Sequence, residues 1–121
     1  MEGDPELKGR LQQAQREMLQ RNIPQQVAKS DVVITNPTHY AVALLYDSNV
    51  PEAPQVTAKG SDNLALRIRE IAKEHEIPIV ENRSLARGLY ADTEIGDIIP
   101  NAYFSAIATI YAQLEKFNKK Q

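Results

Sequence analysis

A chain of 121 residues with 42% hydrophobic content is the size of one compact domain and can bury a core without covalent staples. Its formal charge of -2 argues against an extended nucleic-acid footprint, leaving room for a local basic patch, and the lack of cysteine excludes disulfides, thiolate metal sites and cysteine catalysis. The longest apolar run, Tyr40 to Tyr46, falls far short of the roughly 20 residues a membrane-spanning helix needs, and the acidic start Met1-Glu2-Gly3-Asp4-Pro5-Glu6 is unlike a signal peptide.

Asp4 as N-cap with Pro5 at the first helical position opens a helix that runs to about Asn22. Its single apolar stripe is Leu7, Leu11, Ala14 and Met18, so it reads as a solvated connector. Asn22 to Lys29, with Pro24 and paired glutamines, reads as a loop. Residues 1–29 are therefore expected to be connector and linker, and 30–121 the globular body.

The body opens on two short strands suited to burial on both faces, Asp31-Val-Val-Ile-Thr35 and Tyr40-Ala-Val-Ala-Leu-Leu-Tyr46, separated by Asn36-Pro37-Thr38-His39. Gln55 to Lys59 is a third strand, ended by Gly60. Ser61 caps a helix that buries Leu64, Ile68, Ile71 and Ala72 while Arg67, Arg69, Glu70 and Lys73 face water. Ile77 to Val80 is a fourth strand, which Pro78 confines to an edge or a strand start. A short helix from Ser84 to about Ala91 presents Leu85, Leu89 and Tyr90. After a turn at Gly96, Pro100 heads a last helix with Tyr103, Ile107, Ile110, Tyr111, Leu114 and Phe117 on one face. The fold class is α/β, a small mixed four-stranded sheet surrounded by helices and preceded by the connector helix.

Asn-Pro is an ordinary turn dipeptide, but its chemistry is distinctive. In most Asn-X pairs the next backbone nitrogen attacks the side-chain carbonyl, which deamidates without cutting the chain. Proline has no N–H, so that route is closed. The remaining route is attack by the Asn36 side-chain nitrogen on its own backbone carbonyl, closing a succinimide and expelling the Pro37 nitrogen. Scission in ten minutes needs a barrier of about 21 kcal/mol, against about 28 for a bond lasting a year, so the fold must supply about 7. Backbone strain gives about 1–3 of this; orientation, a donor to the carbonyl and removal of the amide proton must give the rest. His39 can relay that proton or serve as a structural donor. Thr38 reads as a turn former whose hydroxyl orients the loop.

The stretch Ser30 to Leu44, containing Asn36-Pro37-Thr38-His39, resembles the corresponding region of the FlhB/YscU family. Further motifs follow in the family's order: Ala58-Lys59-Gly60, Ile68-Arg-Glu-Ile-Ala72, Ile77-Pro78-Ile79, Leu85-Ala86-Arg87 with Leu89-Tyr90, and Glu94-Ile95-Gly96 to Ile99-Pro100. Glu2-Gly3-Asp4-Pro5 with Lys8-Gly9 resembles the segment leaving the family's last membrane helix. Ala-Lys-Gly and Tyr40 look most like the flagellar branch. Asn82-Arg83-Ser84 departs from the prolines that relatives often carry there, which puts partner contacts at that place in doubt.

The resemblance implies a preceding N-terminal membrane domain, with this segment soluble at the cytoplasmic face of the bacterial inner membrane. It implies autocatalytic, single-turnover cleavage between Asn36 and Pro37, with Asn36, Pro37, Thr38 and His39 as site residues and no cofactor or metal. It further implies a switch of export from rod and hook to filament subunits. Implied partners are the hook-length control protein, other export-gate membrane proteins, the export ATPase complex and the exported subunits; nucleic acid is not among them. Two rivals stand beside this reading. One is a non-covalent export-substrate binding module in which Asn-Pro is only a turn. The other is a Ser-His-Asp hydrolase using His39 or His75 with Ser30 or Ser61, for which no nucleophile-elbow pattern exists.

Overall fold

The computed structural model describes residues 22–37, 39–47, 49 and 53–114. In chain order these form α1 (Ile23–Ala28), β1 (Val32–Asn36), β2 (Tyr40–Leu45), β3 (Gln55–Ser61), α2 (Asp62–Glu74), β4 (Ile79–Glu81), α3 (Arg83–Asp92), a 3-10 turn (Asn101–Tyr103) and α4 (Phe104–Gln113). The strands lie in the order β3-β2-β1-β4. β1 runs antiparallel to β2 and parallel to β4, and β2 runs antiparallel to β3 with an irregularity between Ala43 and Leu44. The mixed sheet and the edge place of the fourth strand are as the sequence implies, but that strand is Ile79–Glu81 and not Ile77 to Val80, starting just after Pro78.

Alternation along the inner strands sorts the core into two layers. Val32, Ile34, Val42, Leu44 and Val56 face α3 and α4, where Leu85, Leu89, Ile107, Ile110 and Leu114 complete the packing. Val33, Ala41, Ala43 and Ala58 face the opposite way, against α1 and the Ala65, Ile68, Ile71 and Ala72 face of α2. Small side chains on that second face let the helices approach closely; a Cβ on Gly60 would meet Leu64 Cγ at 2.5 Å. The other layer has one such approach, where Gly88 of α3 admits the Tyr103 ring.

One expectation is corrected. Residues 22–29 are not a loop, because Ile23–Ala28 is a helix whose Ile23 and Val27 are core residues four apart. Pro24 sits in the first turn, where its missing N–H breaks no helical bond. Gln26 Nε2 donates to the Thr57 carbonyl, and the buried Ser30 hydroxyl bonds the Gln26 carbonyl and Thr57 Oγ1, tying α1 to β3. The third strand also runs two residues further than expected, through Gly60 to Ser61. The expected connector helix over 5–22 lies outside the described residues, apart from Asn22, as does Phe117.

Candidate functional site

The turn joining β1 to β2 carries Asn36, Pro37 and His39; Thr38 lies outside the described residues. Asn36 opposes Tyr40 as the last pair of the ladder, and the His39 N–H donates to the Asn36 carbonyl oxygen at 2.9 Å. That bond closes a four-residue turn in which proline holds the second place, where its fixed φ fits. The carbonyl that scission would attack thus already holds a backbone donor.

Two helix starts secure this turn from either side. The Asn82 N–H donates to the Thr35 carbonyl at 2.9 Å, while the Asn82 side chain caps α3 by accepting from the Leu85 N–H at 3.2 Å. One residue further on, the Arg83 carbonyl accepts a long 3.4 Å bond from Asn36 Nδ2. Asn36 Oδ1 is buried and has no hydrogen-bond partner among the described residues. From the other side, α2 begins at Asp62 with φ 52, and the Asp62 N–H donates to the His39 carbonyl at 2.9 Å. Ser61 occupies the N-cap position of α2 without capping it, its hydroxyl instead lying 3.5 Å from the Tyr90 hydroxyl.

Next to the turn, residues far apart in the chain converge. Tyr40 stacks on Tyr90 with ring centroids 4.7 Å apart. Lys59 Nζ lies 4.6 Å over the Tyr90 ring and donates to the Tyr90 and Thr93 carbonyls, so a cation sits at the negative end of α3. His39 is exposed, its ring tilted against Tyr40 at 6.3 Å. The hydrolase residues do not assemble: among the described residues neither Ser30 nor Ser61 is hydrogen-bonded to His39 or His75.

At the far end of the hairpin, buried Asp31 accepts from the Tyr46 N–H at 2.7 Å and the Tyr111 hydroxyl at 3.0 Å. Burial, with the Asp31 charge and hydrogen bond behind it, holds the Tyr111 phenol far above its ordinary value. The hydrogen bond to Asp92, followed by burial and the Asp92 charge, raises the Tyr103 phenol as well. Beyond Tyr111, an apolar groove of about 520 Å³ opens between α4 and the segment before β3, lined by Tyr46, Pro54, Ile99, Phe104, Ala108 and Tyr111 among others.

A family described as FlhB HrpN YscU SpaS matches residues 1–114. The chain belongs to this family. It is 52% identical over 119 residues to the flagellar biosynthetic protein FlhB of Bacillus subtilis, covering 98% of this chain and 33% of that one. With FlhB of Salmonella typhimurium it shares 51% identity over 111 residues, 92% of this chain and 29% of the other. The chain therefore spans about a third of the curated relatives it matches. The crystal structure of the cytoplasmic domain of FlhB from Shewanella putrefaciens superposes with a TM-score of 0.74 at 41% identity, over 84% of this chain and 80% of that domain. The PscU C-terminal domain, at 39% identity, gives a TM-score of 0.60 over 65% of this chain and all of that one. The family domain is thus the unit described above, with the Asn-Pro turn between its two inner strands.

Proposed function

We propose that this domain severs itself between Asn36 and Pro37, stays folded as two pieces, and by doing so switches the export apparatus from rod and hook to filament subunits. The observation that carries the reading is the bonding of Asn36. Its backbone carbonyl oxygen holds the His39 N–H, whereas among the described residues its side-chain amide makes one long bond through Nδ2 and none through Oδ1. A donor on Oδ1 would draw the nitrogen lone pair into the amide; without one the nitrogen keeps more of its nucleophilicity.

In the step itself, a bond forms from Nδ2 to the Asn36 carbonyl carbon and the bond from that carbon to the Pro37 nitrogen breaks. Nδ2 loses one proton and the proline nitrogen gains one, carried by water or the exposed His39 imidazole. The carbonyl oxygen gathers charge on the way, and the His39 N–H stabilises it by about 3 kcal/mol. Confinement of the Asn36 side chain against the start of α3 supplies the remainder of the required ~7 kcal/mol. Water then opens the terminal succinimide.

The part set free is small. Tyr40 remains paired with Ser61 and stacked on Tyr90, so release concerns Pro37 to His39. That loop, at the cytoplasmic face of the bacterial inner membrane, is the surface whose change would be read by the hook-length control protein, the other export-gate membrane proteins, the export ATPase complex or the subunits themselves. Purified wild-type chain should run as two bands on denaturing electrophoresis and one peak on native size exclusion, with a mass for a piece starting at Pro37. The Asn36→Ala chain should stay whole and fail to switch. A wild-type chain that stays whole under native conditions defeats the proposal.

One observation favours the non-covalent alternative alongside it. The open groove at α4 has room for a few apolar side chains of an exported subunit and not for a folded domain. A photo-crosslinker at Ala108 that never captures an exported subunit would remove this second reading.

A further inference from the structure

Asp62 is a non-glycine residue with left-handed backbone, φ 52, and it stands at the first position of α2, beside the turn. Aspartate tolerates that region better than most residues, and β-branched residues tolerate it poorly. The conformation has an evident use. Ser61 is the last β3 residue paired with β2, opposite Tyr40, and the left-handed step after it turns the Asp62 N–H back onto the His39 carbonyl at 2.9 Å. That carbonyl belongs to the residue whose own N–H reaches the Asn36 carbonyl oxygen at 2.9 Å. An unbroken relay of two backbone bonds therefore runs from the start of α2 through His39 to the reacting carbonyl.

We propose that Asp62 is a positioning residue for scission: its left-handed backbone clamps His39 so that the His39 N–H stays aimed at the oxygen that becomes negative. The inference rests on the scission reading. It concerns the backbone of Asp62 and not its carboxylate, since the exposed side chain has no part in the relay. Any residue that accepts the left-handed step can serve there, and one that resists it cannot. Strain at such a position persists where the surroundings over-determine it, here a ladder on one side and a helix on the other.

The experiment follows first-order scission of pulse-labelled chain in a cell-free translation mixture, with thermal unfolding of the purified proteins beside it. Asp62→Gly, which accepts the left-handed step without strain, should cut at the wild-type rate or faster, whereas Asp62→Val should cut about tenfold more slowly. A purely structural role would make rate follow stability, so Asp31→Ala, which loses bonds at the far end of the hairpin, would then slow as Asp62→Val does; the clamp predicts that it cuts at the wild-type rate. Equal rates in wild type and Asp62→Val, or an Asp62→Gly as slow as Asp62→Val, would overturn the clamp while leaving scission intact. Wild-type chain that stays whole would overturn both.

Amide exchange in Asn36→Ala, which keeps the backbone carbonyl, decides the matter if the valine variant does not fold. Adding Asp62→Ala should speed exchange of the His39 N–H about tenfold, and adding Asp62→Gly should not. Unchanged His39 exchange with Asp62→Ala would defeat the proposal.

Discussion

The two ends of the β1–β2 hairpin are built on opposite plans. At the open end, buried Asp31 gathers the Tyr46 N–H and the Tyr111 hydroxyl on one carboxylate, bonds of the charge-assisted kind that hold a fold together. At the turn, Asn36 keeps a buried oxygen without a partner among the described residues and a single 3.4 Å bond to them on its nitrogen, while its backbone carbonyl is well supplied. An unsatisfied buried acceptor costs about 1–3 kcal/mol. One end is fastened for permanence, and the other leaves a polar side chain loosely bonded, as the proposed scission requires.

The largest break in this contrast should come from Pro37→Ala. Restoring an N–H at position 37 reopens attack by that backbone nitrogen on the Asn36 side-chain carbonyl, so scission should slow by at least about tenfold and deamidated whole chain should accumulate, as read by intact mass. Asp31→Ala attacks the opposite end. It should lower unfolding free energy by about 2–3 kcal/mol in urea melts and leave the scission rate unchanged, because nothing at the turn depends on that carboxylate.

A smaller effect on both quantities should follow Asn82→Ala. Loss of the α3 cap costs about 1 kcal/mol and loosens the Arg83 carbonyl that holds Nδ2, slowing scission about threefold. The mildest change is Tyr111→Phe, about 1 kcal/mol at neutral pH. Its signature is in alkali. The Tyr111 and Tyr103 phenols are both raised from 10.0, so the unfolded chain loses these protons first. Stability is then full below about pH 10 and falls as pH rises above it, and Tyr111→Phe should flatten that fall.

Much of the scaffold was legible because burial leaves a period in the sequence. Val32 to Thr35 and Ala41 to Leu44 announce strands covered on both sides, and the Tyr103, Ile107, Ile110, Tyr111 and Leu114 stripe lies on the inward face of the last helix and the turn before it. Helix α1 escaped because Pro24 and two glutamines mimic a loop; the signal present was the Ile23 and Val27 pair at i and i+4. Residue type alone suggests Ser61 as a cap, yet its hydroxyl turns towards Tyr90.

At the candidate site, the chemistry of Asn36 before a proline was visible in two letters. Its surroundings were not. The bond from Asn36 to Arg83 spans 47 residues and the one from the Asp62 N–H to the His39 carbonyl joins a helix start to a turn, and neither leaves any periodic trace. The left-handed step at Asp62 is equally hidden, since aspartate at the first position of a helix is commonplace.

The strand order β3-β2-β1-β4 has a mechanical meaning. A cut after Asn36 would leave β1 in one piece and both of its neighbours in the other, so the piece ending at Asn36 would keep its strand in the middle of the sheet. Tension applied along β1 would have to shear two ladders simultaneously, one antiparallel and one parallel. Separation is then governed by a high unfolding barrier and not by the weakness of a missing peptide bond. A nicked domain of this design can bear load as though it were continuous.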